Sequence, residues 1–416
     1  MNVAANTDHE ALARTLPLER FNVANPALFQ QAAWMPYFAR LREEDPVHYC
    51  GESRSGPYWS ITKYNDIVAV GTNHTTFSSD IDLGGVHISD RPKELRLRSL
   101  ITSDPPRHDE LRKIIQPIVG PSNLAQAKHL IRERTCHVLD HLPRNETFNW
   151  ARLVSIELTT LMLTTLFDFP IEDRKKLTHW SDVAFVDLDA GGPIDTEEKR
   201  RSELQECLDY FGRLWEERAK LPPALDLISM LAHGEASRDM PPNEFLGNLV
   251  TLIVGGNETT RNSMSASLCF LNENPDQYAK LRDNSALIDG MVSEVIRYHT
   301  PILAFRRTAV ADTELNGKLI RKGDKVVLWY ISGNRDREVI DDPDSFIIDR
   351  KRPRQHVAFG FGIHRCVGNR LAELQLKILW EEILRRDLKI EVMGPPKRVY
   401  SVFVHGISEL PVRLRN

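Results

Sequence analysis

The stretch FGFGIHRCVG, residues 359–368, decides how the rest of the chain is read. It holds one cysteine, Cys366, with Gly360 and Gly362 before it, Gly368 just after it and an aromatic ring at Phe359. The run that follows, LAELQLKILWEEILRR, sets Leu371, Leu374, Leu376, Ile378 and Leu379 mostly on one side at helical spacing. The pattern predicts a cysteine in a tight loop at the start of an amphipathic helix. Free N–H groups and the positive end of the helix dipole favour a thiolate there, and glycines let a flat partner approach the backbone without a Cβ in the way. A lone cysteine is more often a small buried hydrophobe.

Working outward, the chain has 416 residues, 41% hydrophobic and 27% charged, which is the composition of a soluble globular protein with a large core. No Gly/Ser-rich or charge-block linker divides it, so residues 1–416 are expected to form a single domain, with about 1–25 as an irregular N-terminal arm. Its 54 basic and 58 acidic residues give a net charge of -4 without a basic tail, which makes nucleic acid a poor partner. The five cysteines are scattered and odd in number, as in a reduced cytoplasmic protein with no disulfide framework. The N-terminus, MNVAANTDHEALARTLPLERF, has no signal-like apolar region and no membrane-length span, so no membrane anchor is expected; a monomer is expected.

Periodicity predicts a mainly α protein with small β-sheets (α+β). A helix is expected over 28–44, short strands at 47–49 and 58–61, a helix at 64–70, and largely helical sequence from 124 to 231. Residues 78–100 form a long polar connection containing Gly84 and Gly85, either a loop covering a pocket or a surface excursion. In TSDPPRHDELRKII, His108 and Arg112 stand four apart on one helical face, aimed either at an anion or at solvent.

Pro242 opens a helix of about 30 residues, roughly 45 Å long at 1.5 Å each, with Phe245, Leu249, Leu252 and Ile253 at core spacing. Inside it lies GGNETTRN, residues 255–262. Two adjacent mid-helix glycines cost about 2 kcal/mol relative to alanines, so something requires the backbone close there. Thr259 can hydrogen-bond the carbonyl four residues back and open the turn locally. Glu258, Thr259 and Thr260 then form a polar patch that faces either an internal water or a reaction centre. Further on, Glu294 and Arg297 lie on the same side of a helix and must pair if buried.

The spacing F-G-x-G-x-H-x-C-x-G resembles the haem-binding signature of the cytochrome P450 family, the haem-thiolate monooxygenases. H-x-x-x-R, G-G-x-E-T and E-x-x-R match three further family motifs, in the same order, and the resemblance covers essentially the whole chain. It implies a triangular prism with a long central helix over haem b (iron protoporphyrin IX), where thiolate donation favours O–O cleavage. By that resemblance Cys366 ligates the iron and Phe359, Gly360 and Gly368 surround it, while His108, Arg112, Arg307 and His364 meet the two propionates. Thr259 holds dioxygen and Glu258 relays protons through water, and Glu294, Arg297 and Arg350 form a structural triad.

Among subfamilies, the stretches IVGGNETTRNSM, DKVVLWYISGNRD, DRKRPRQHVAFGFGIHRCVGNRLAE and LPVRL resemble the soluble bacterial alkane and fatty-acid terminal hydroxylases. The implied substrate pocket draws on Val183, Val186, Leu188, Leu252, Gly255, Ile302, Leu303, Ala304, Phe305, Val402 and Phe403. A terpene or other compact hydrophobic substrate stays open, as does peroxide-driven fatty-acid hydroxylation or decarboxylation. Arg91, Lys93, Arg96 and Arg98 either meet a substrate carboxylate or face water. No flavin, nicotinamide or iron–sulfur motif occurs, so electrons must come from separate proteins, expected to be a small acidic 2Fe-2S ferredoxin and its FAD-dependent NAD(P)H reductase. That partner would dock on a basic face drawn from Arg107, Lys113, Lys351, Arg352, Arg354, Arg365 and Lys377.

Overall fold

A computed structural model describes residues 8–415. The arm expected to be irregular is ordered over the part described, and residues 1–7 lie outside it. Helix α1 (His9–Thr15) is capped by Asp8, whose carboxylate accepts from the Ala11 N–H. Arg40 fixes it by donating to the carbonyls of Ala13 and Leu16 at 2.9 and 2.6 Å. The single helix expected over 28–44 is two, α2 (Pro26–Gln30) and α3 (Met35–Glu44), because Ala32 takes a φ of 55° between them.

β1 (Val47–Cys50) and β2 (Tyr58–Ile61) follow, then α4 (Tyr64–Thr72) and β3 (Phe77–Ser78). Beyond the long 78–100 connection come α5 (Arg107–Ile115), α6 (Pro121–Asp140), β4 (Thr147–Asn149), α7 (Glu157–Phe167), α8 (Arg174–Phe185), α9 (Glu197–Arg218) and α10 (Leu227–His233). The long helix is α11 (Pro242–Glu273), followed by α12 (Pro275–Asp283) and α13 (Ile288–His299). β5 (Ala304–Ala309), β6 (Thr313–Leu315), β7 (Lys318–Ile320) and β8 (Lys325–Trp329) lead through α14 (Tyr330–Gly333) to the cysteine loop and α15 (Asn369–Arg385). The chain closes with β9 (Lys389–Val392), β10 (Lys397–Arg398), β11 (Ile407–Glu409) and β12 (Pro411–Arg415).

Five strands form one sheet in the order β1-β2-β8-β5-β3, with β2 and β8 parallel and the other pairs antiparallel. The β6–β7 turn uses Asn316 and Gly317, both at positive φ, as a tight hairpin requires.

α11 is a spine because its two halves serve different cores. Phe245, Leu249 and Ile253 pack with α5, α7, α8, α9 and α10, whereas Met264, Leu268 and Leu271 pack with α13, α15 and the C-terminal strands. α15 spans the same two cores, through Leu371 and Ile378 on one side and Leu376, Leu379 and Trp380 on the other. α11 is therefore held from both ends and α15 on two faces.

The run from β8 to α15 has little regular structure and is held by one buried ionic cluster. Glu294 accepts from Arg297 through both carboxylate oxygens, at 2.7 and 2.8 Å, and from Arg350 Nε at 3.0 Å. It also accepts the Ile347 N–H. Arg297 spends its other donors on the carbonyls of Asn334, Pro343 and Ser345. Glu294 is wholly buried, so its removal would leave two guanidiniums short of a counter-charge. Glu294→Ala is expected to lower stability by about 3–5 kcal/mol, read as a shifted urea midpoint; a loss under about 1 kcal/mol, typical of an exposed pair, would contradict this.

Candidate active site

The cysteine loop is closed by the Cys366 N–H, which donates to the Phe359 carbonyl at 2.9 Å. Gly360 and Gly362 adopt φ of 68° and 72°. A Cβ on Gly362 would stand 2.3 Å from the Gly71 carbonyl, so the loop seats directly on α4. Cys366 lies three residues ahead of α15 rather than in its first turn. Its sulfur faces an internal cavity also lined by Phe359, Gly360, His364 and Gly368. Burial pushes the thiol pKa up, against the Gly368 N–H and the charges of Arg112 and Arg365, which pull it down. A cation in the cavity would favour the thiolate.

α11 forms the opposite wall. It runs unbroken through Gly255 and Gly256, and the two glycines do different work. A Cβ on Gly256 would lie 2.7 Å from Leu163 Cδ2, so this glycine lets α7 approach, while one on Gly255 would meet nothing within 4 Å and opens the cavity. Thr259 Oγ1 donates to the Gly255 carbonyl at 2.9 Å, and Thr259, Thr260 and Leu252 line the same cavity.

Glu258 does not face this cavity. Its carboxylate accepts from Ser181 at 3.1 Å and pairs with Arg261 at 2.5 Å; Arg261 pairs in turn with Asp182 at 2.7 Å. Asp182, on α8, has a side chain 55% exposed and so connects the buried acid to solvent. Burial raises the Glu258 pKa in spite of Arg261, which favours the protonated acid more than an exposed carboxylate would. Arg261, three residues along the same helix face, is the partner that the sequence reading missed.

At one edge of the cavity the rings of His108 and His364 meet edge-on, with centroids 4.5 Å apart. His108 Nε2 and both ring nitrogens of His364 are buried without a hydrogen-bond partner among the described residues. Burial and the charges of Arg307, His108 and Arg112 take the His364 pKa down to about 2. Arg112 also lines the cavity, donating to the Arg365 carbonyl at 2.7 Å. Arg307 is not among the lining residues; it is buried behind them and donates to the Arg306 carbonyl. Unsatisfied imidazoles beside the Arg112 guanidinium at one edge call for an anionic group. A flat dianionic macrocycle with a metal that takes sulfur fits this set: sulfur on one wall, a glycine-opened helix on the other, cations at the rim.

The eleven expected substrate-pocket residues divide. Leu252, Gly255, Ile302, Phe305 and Phe403 line the cavity above the sulfur, while Val186, Leu188, Ala304 and Val402 line an adjoining chamber, shared with Phe305 and Phe403. Val183 and Leu303 line neither, being packed into separate cores at 3% and 0% exposure. His87, absent from the sequence reading, sits where the chambers meet.

The 78–100 connection is a covering loop fastened at several points. Arg98 pairs with Asp80 and Asp82, and Arg96 donates to the carbonyls of Arg91, Ile81 and Asp82, so these two arginines serve the loop itself. Arg306 reaches across from β5 to Asp90 and the Leu83 carbonyl. The Leu100 N–H donates to Asn248 on α11. A Cβ on neighbouring Gly247 would come 2.1 Å from the Arg98 carbonyl.

Comparison with known proteins bears on this arrangement. The family model for Cytochrome P450 matches residues 196–396. The chain is 36% identical over 407 residues to Linalool 8-monooxygenase of Pseudomonas putida, covering 95% of this chain and 99% of that protein. The solved structure of Cytochrome P450-153 from Novosphingobium aromaticivorans superposes with a TM-score of 0.90 at 43% identity, covering 95% of this chain and 99% of that one. CYP153D17 from Sphingomonas sp. PAMC 26605 gives a TM-score of 0.90 at 44% identity over 96% and 100%.

The chain belongs to the cytochrome P450 family. It has that family's fold, is a haem-dependent monooxygenase, and takes haem b as its cofactor. No helix among the described residues is long and apolar enough to cross a membrane.

The seat of the covering loop on α11 can be tested apart from the haem. Gly247→Ala is expected to cost about 1–3 kcal/mol, because the added methyl meets backbone that cannot step aside. Gly256→Ala meets only the tip of Leu163 and should cost clearly less; equal urea midpoints for the two variants would contradict the close approach.

Proposed function

We propose that this P450 hydroxylates the terminal carbon of medium-chain linear substrates, n-alkanes or fatty acids. The observation that carries the reading is the mostly apolar lining of the cavity over Cys366, bordered by Phe185, Phe305, Phe403 and His87 where it meets the second chamber. A passage of that kind admits a chain end-on. It presents a methyl carbon ahead of the weaker adjacent methylene C–H bonds, so regiochemistry follows from steric delivery. The sequence resemblance to terminal hydroxylases points the same way.

When bound, haem supplies the activation of dioxygen and the insertion of one oxygen atom into a C–H bond. In this proposal Cys366 holds the iron through its sulfur, Phe359, Gly360 and Gly368 border the macrocycle, and His108, Arg112 and His364 meet its propionates, with Arg307 reinforcing them from behind. Thr259 supplies a hydroxyl at the reaction centre, its proton held on the Gly255 carbonyl until needed. Glu258 is the proton source, loaded from solvent through the Asp182–Arg261 pair, and its carboxyl rotates off Arg261 to deliver at the cavity. Substrate displaces water from a mostly apolar wall, which keeps proton supply to this single route.

Electrons are assigned to a 2Fe-2S ferredoxin reduced by an FAD-dependent NAD(P)H reductase, in the cytoplasm. The docking face centres on the exposed Lys351, Arg352, Arg354 and Arg365 beside the cysteine loop. Arg107 is left out of this face, since it is drawn in towards Glu244 and the Ala236 carbonyl.

Thr259→Ala is expected to keep substrate binding while diverting most reducing equivalents to hydrogen peroxide, measured as peroxide formed per NAD(P)H consumed. Fully coupled turnover in that variant would contradict the assigned hydroxyl. A second reading, oxidation of a terpene alcohol, is favoured by the 36% identity to Linalool 8-monooxygenase. Soret shifts with decane, dodecanoic acid and linalool, followed by product analysis, separate the two. A shift with linalool and none with either linear compound would replace the first reading by the second.

A further inference from the structure

Two cations beside the second chamber, Arg91 and Arg200, take no part in the haem site, and Arg91 is one of the four arginines and lysines for which the sequence left a substrate carboxylate or solvent open. His87, Phe185, Phe305 and Phe403 border both chambers, and His87, Phe185 and Phe305 each pack on Phe403, with centroids 4.6, 4.9 and 5.5 Å from it. Beyond this aromatic collar the second chamber, about 310 Å³, is strongly charged. Its acids are nearly all committed: Asp187 and Asp189 to Arg54, Asp90 to Arg306 and Lys325, and Glu197 to Arg200.

Arg91 lines both chambers and forms no salt bridge among the described residues. Arg200, 6% exposed, lines the second chamber, and its Nε is buried with no hydrogen-bond partner. Burial and the neighbouring Arg200 both lower the Arg91 pKa, against the weaker pull of Glu197. Burial, with Arg91, Arg200 and Arg306, takes His87 down to about 3, so the collar itself is neutral; the cation left without an ion-pair partner among the described residues is Arg91, while Arg200, paired to Glu197, still offers its open Nε. An enclosed guanidinium without a counter-ion is costly, and a planar carboxylate matches its donor geometry.

We propose that Arg91 and Arg200 bind the carboxylate of a fatty-acid substrate, whose alkyl chain passes the aromatic collar with its methyl end towards Cys366. The inference rests on the linear-substrate reading above and narrows it from alkanes to acids. The second chamber becomes a head-group site, and the collar sets how much of the chain can reach the reaction centre. Arg96 and Arg98, committed to the covering loop, take no part.

The test uses the haem-loaded enzyme with dodecanoic acid, methyl dodecanoate and dodecane, with affinities taken from Soret shifts and from calorimetry. The acid should bind about tenfold to a hundredfold more tightly than its ester, the worth of a charge-assisted hydrogen bond. Arg91→Gln should remove most of that difference, and Arg91→Lys should retain part of it. Equal affinity for acid and ester in the unaltered enzyme, or an Arg91→Gln variant that weakens all three guests alike, would overturn the head-group site while leaving the linear-substrate reading in place. Failure of all three to bind would overturn both.

Discussion

The site depends on one constraint: the cysteine loop and the middle of α11 must face each other across a gap that neither wall can close. The loop is seated on α4 at Gly362 and closed on itself by the Cys366–Phe359 hydrogen bond. α11 is clamped at both ends by separate cores and at its middle by the Gly256–Leu163 approach. The Glu294 cluster then fixes the irregular chain that carries the loop. Stability and function meet here, because the interactions that order the fold also set the distance across the cavity.

The buried acid of α11 is separated from the cavity. Thr259 faces the cavity while Glu258, its immediate neighbour, faces α8. Adjacent residues on a helix point about 100° apart, so an acid next to a cavity-facing threonine turns naturally into the interhelical space. There Ser181, Arg261 and Asp182 give it partners and a link to solvent, so that in the proposed mechanism proton delivery is a conformational event rather than a standing contact.

Much of this was legible in the sequence, and the exceptions have physical reasons. The cysteine loop, the bounds of α11 and the Glu294–Arg297 spacing are local patterns, and local patterns survive folding. The direction of Glu258 depends on α8, more than seventy residues earlier, which periodicity does not report. Val183 and Leu303 were expected at the pocket from the family resemblance, yet a shift of one or two positions turns a side chain into a core. Helix α1, only seven residues long, owes its order to tertiary contacts from Arg40 and not to propensity. The covering loop looked polar and open, but its anchors, Arg306 and Asn248, come from distant segments.

The central claim is that Cys366 sulfur binds the haem iron, and carbon monoxide tests it most directly. The reduced, haem-loaded enzyme exposed to carbon monoxide should show the long-wavelength Soret band that a thiolate ligand produces, and Cys366→His should lose that band while retaining haem. Absence of the band in the unaltered enzyme, or its persistence after the sulfur is removed, would contradict the account.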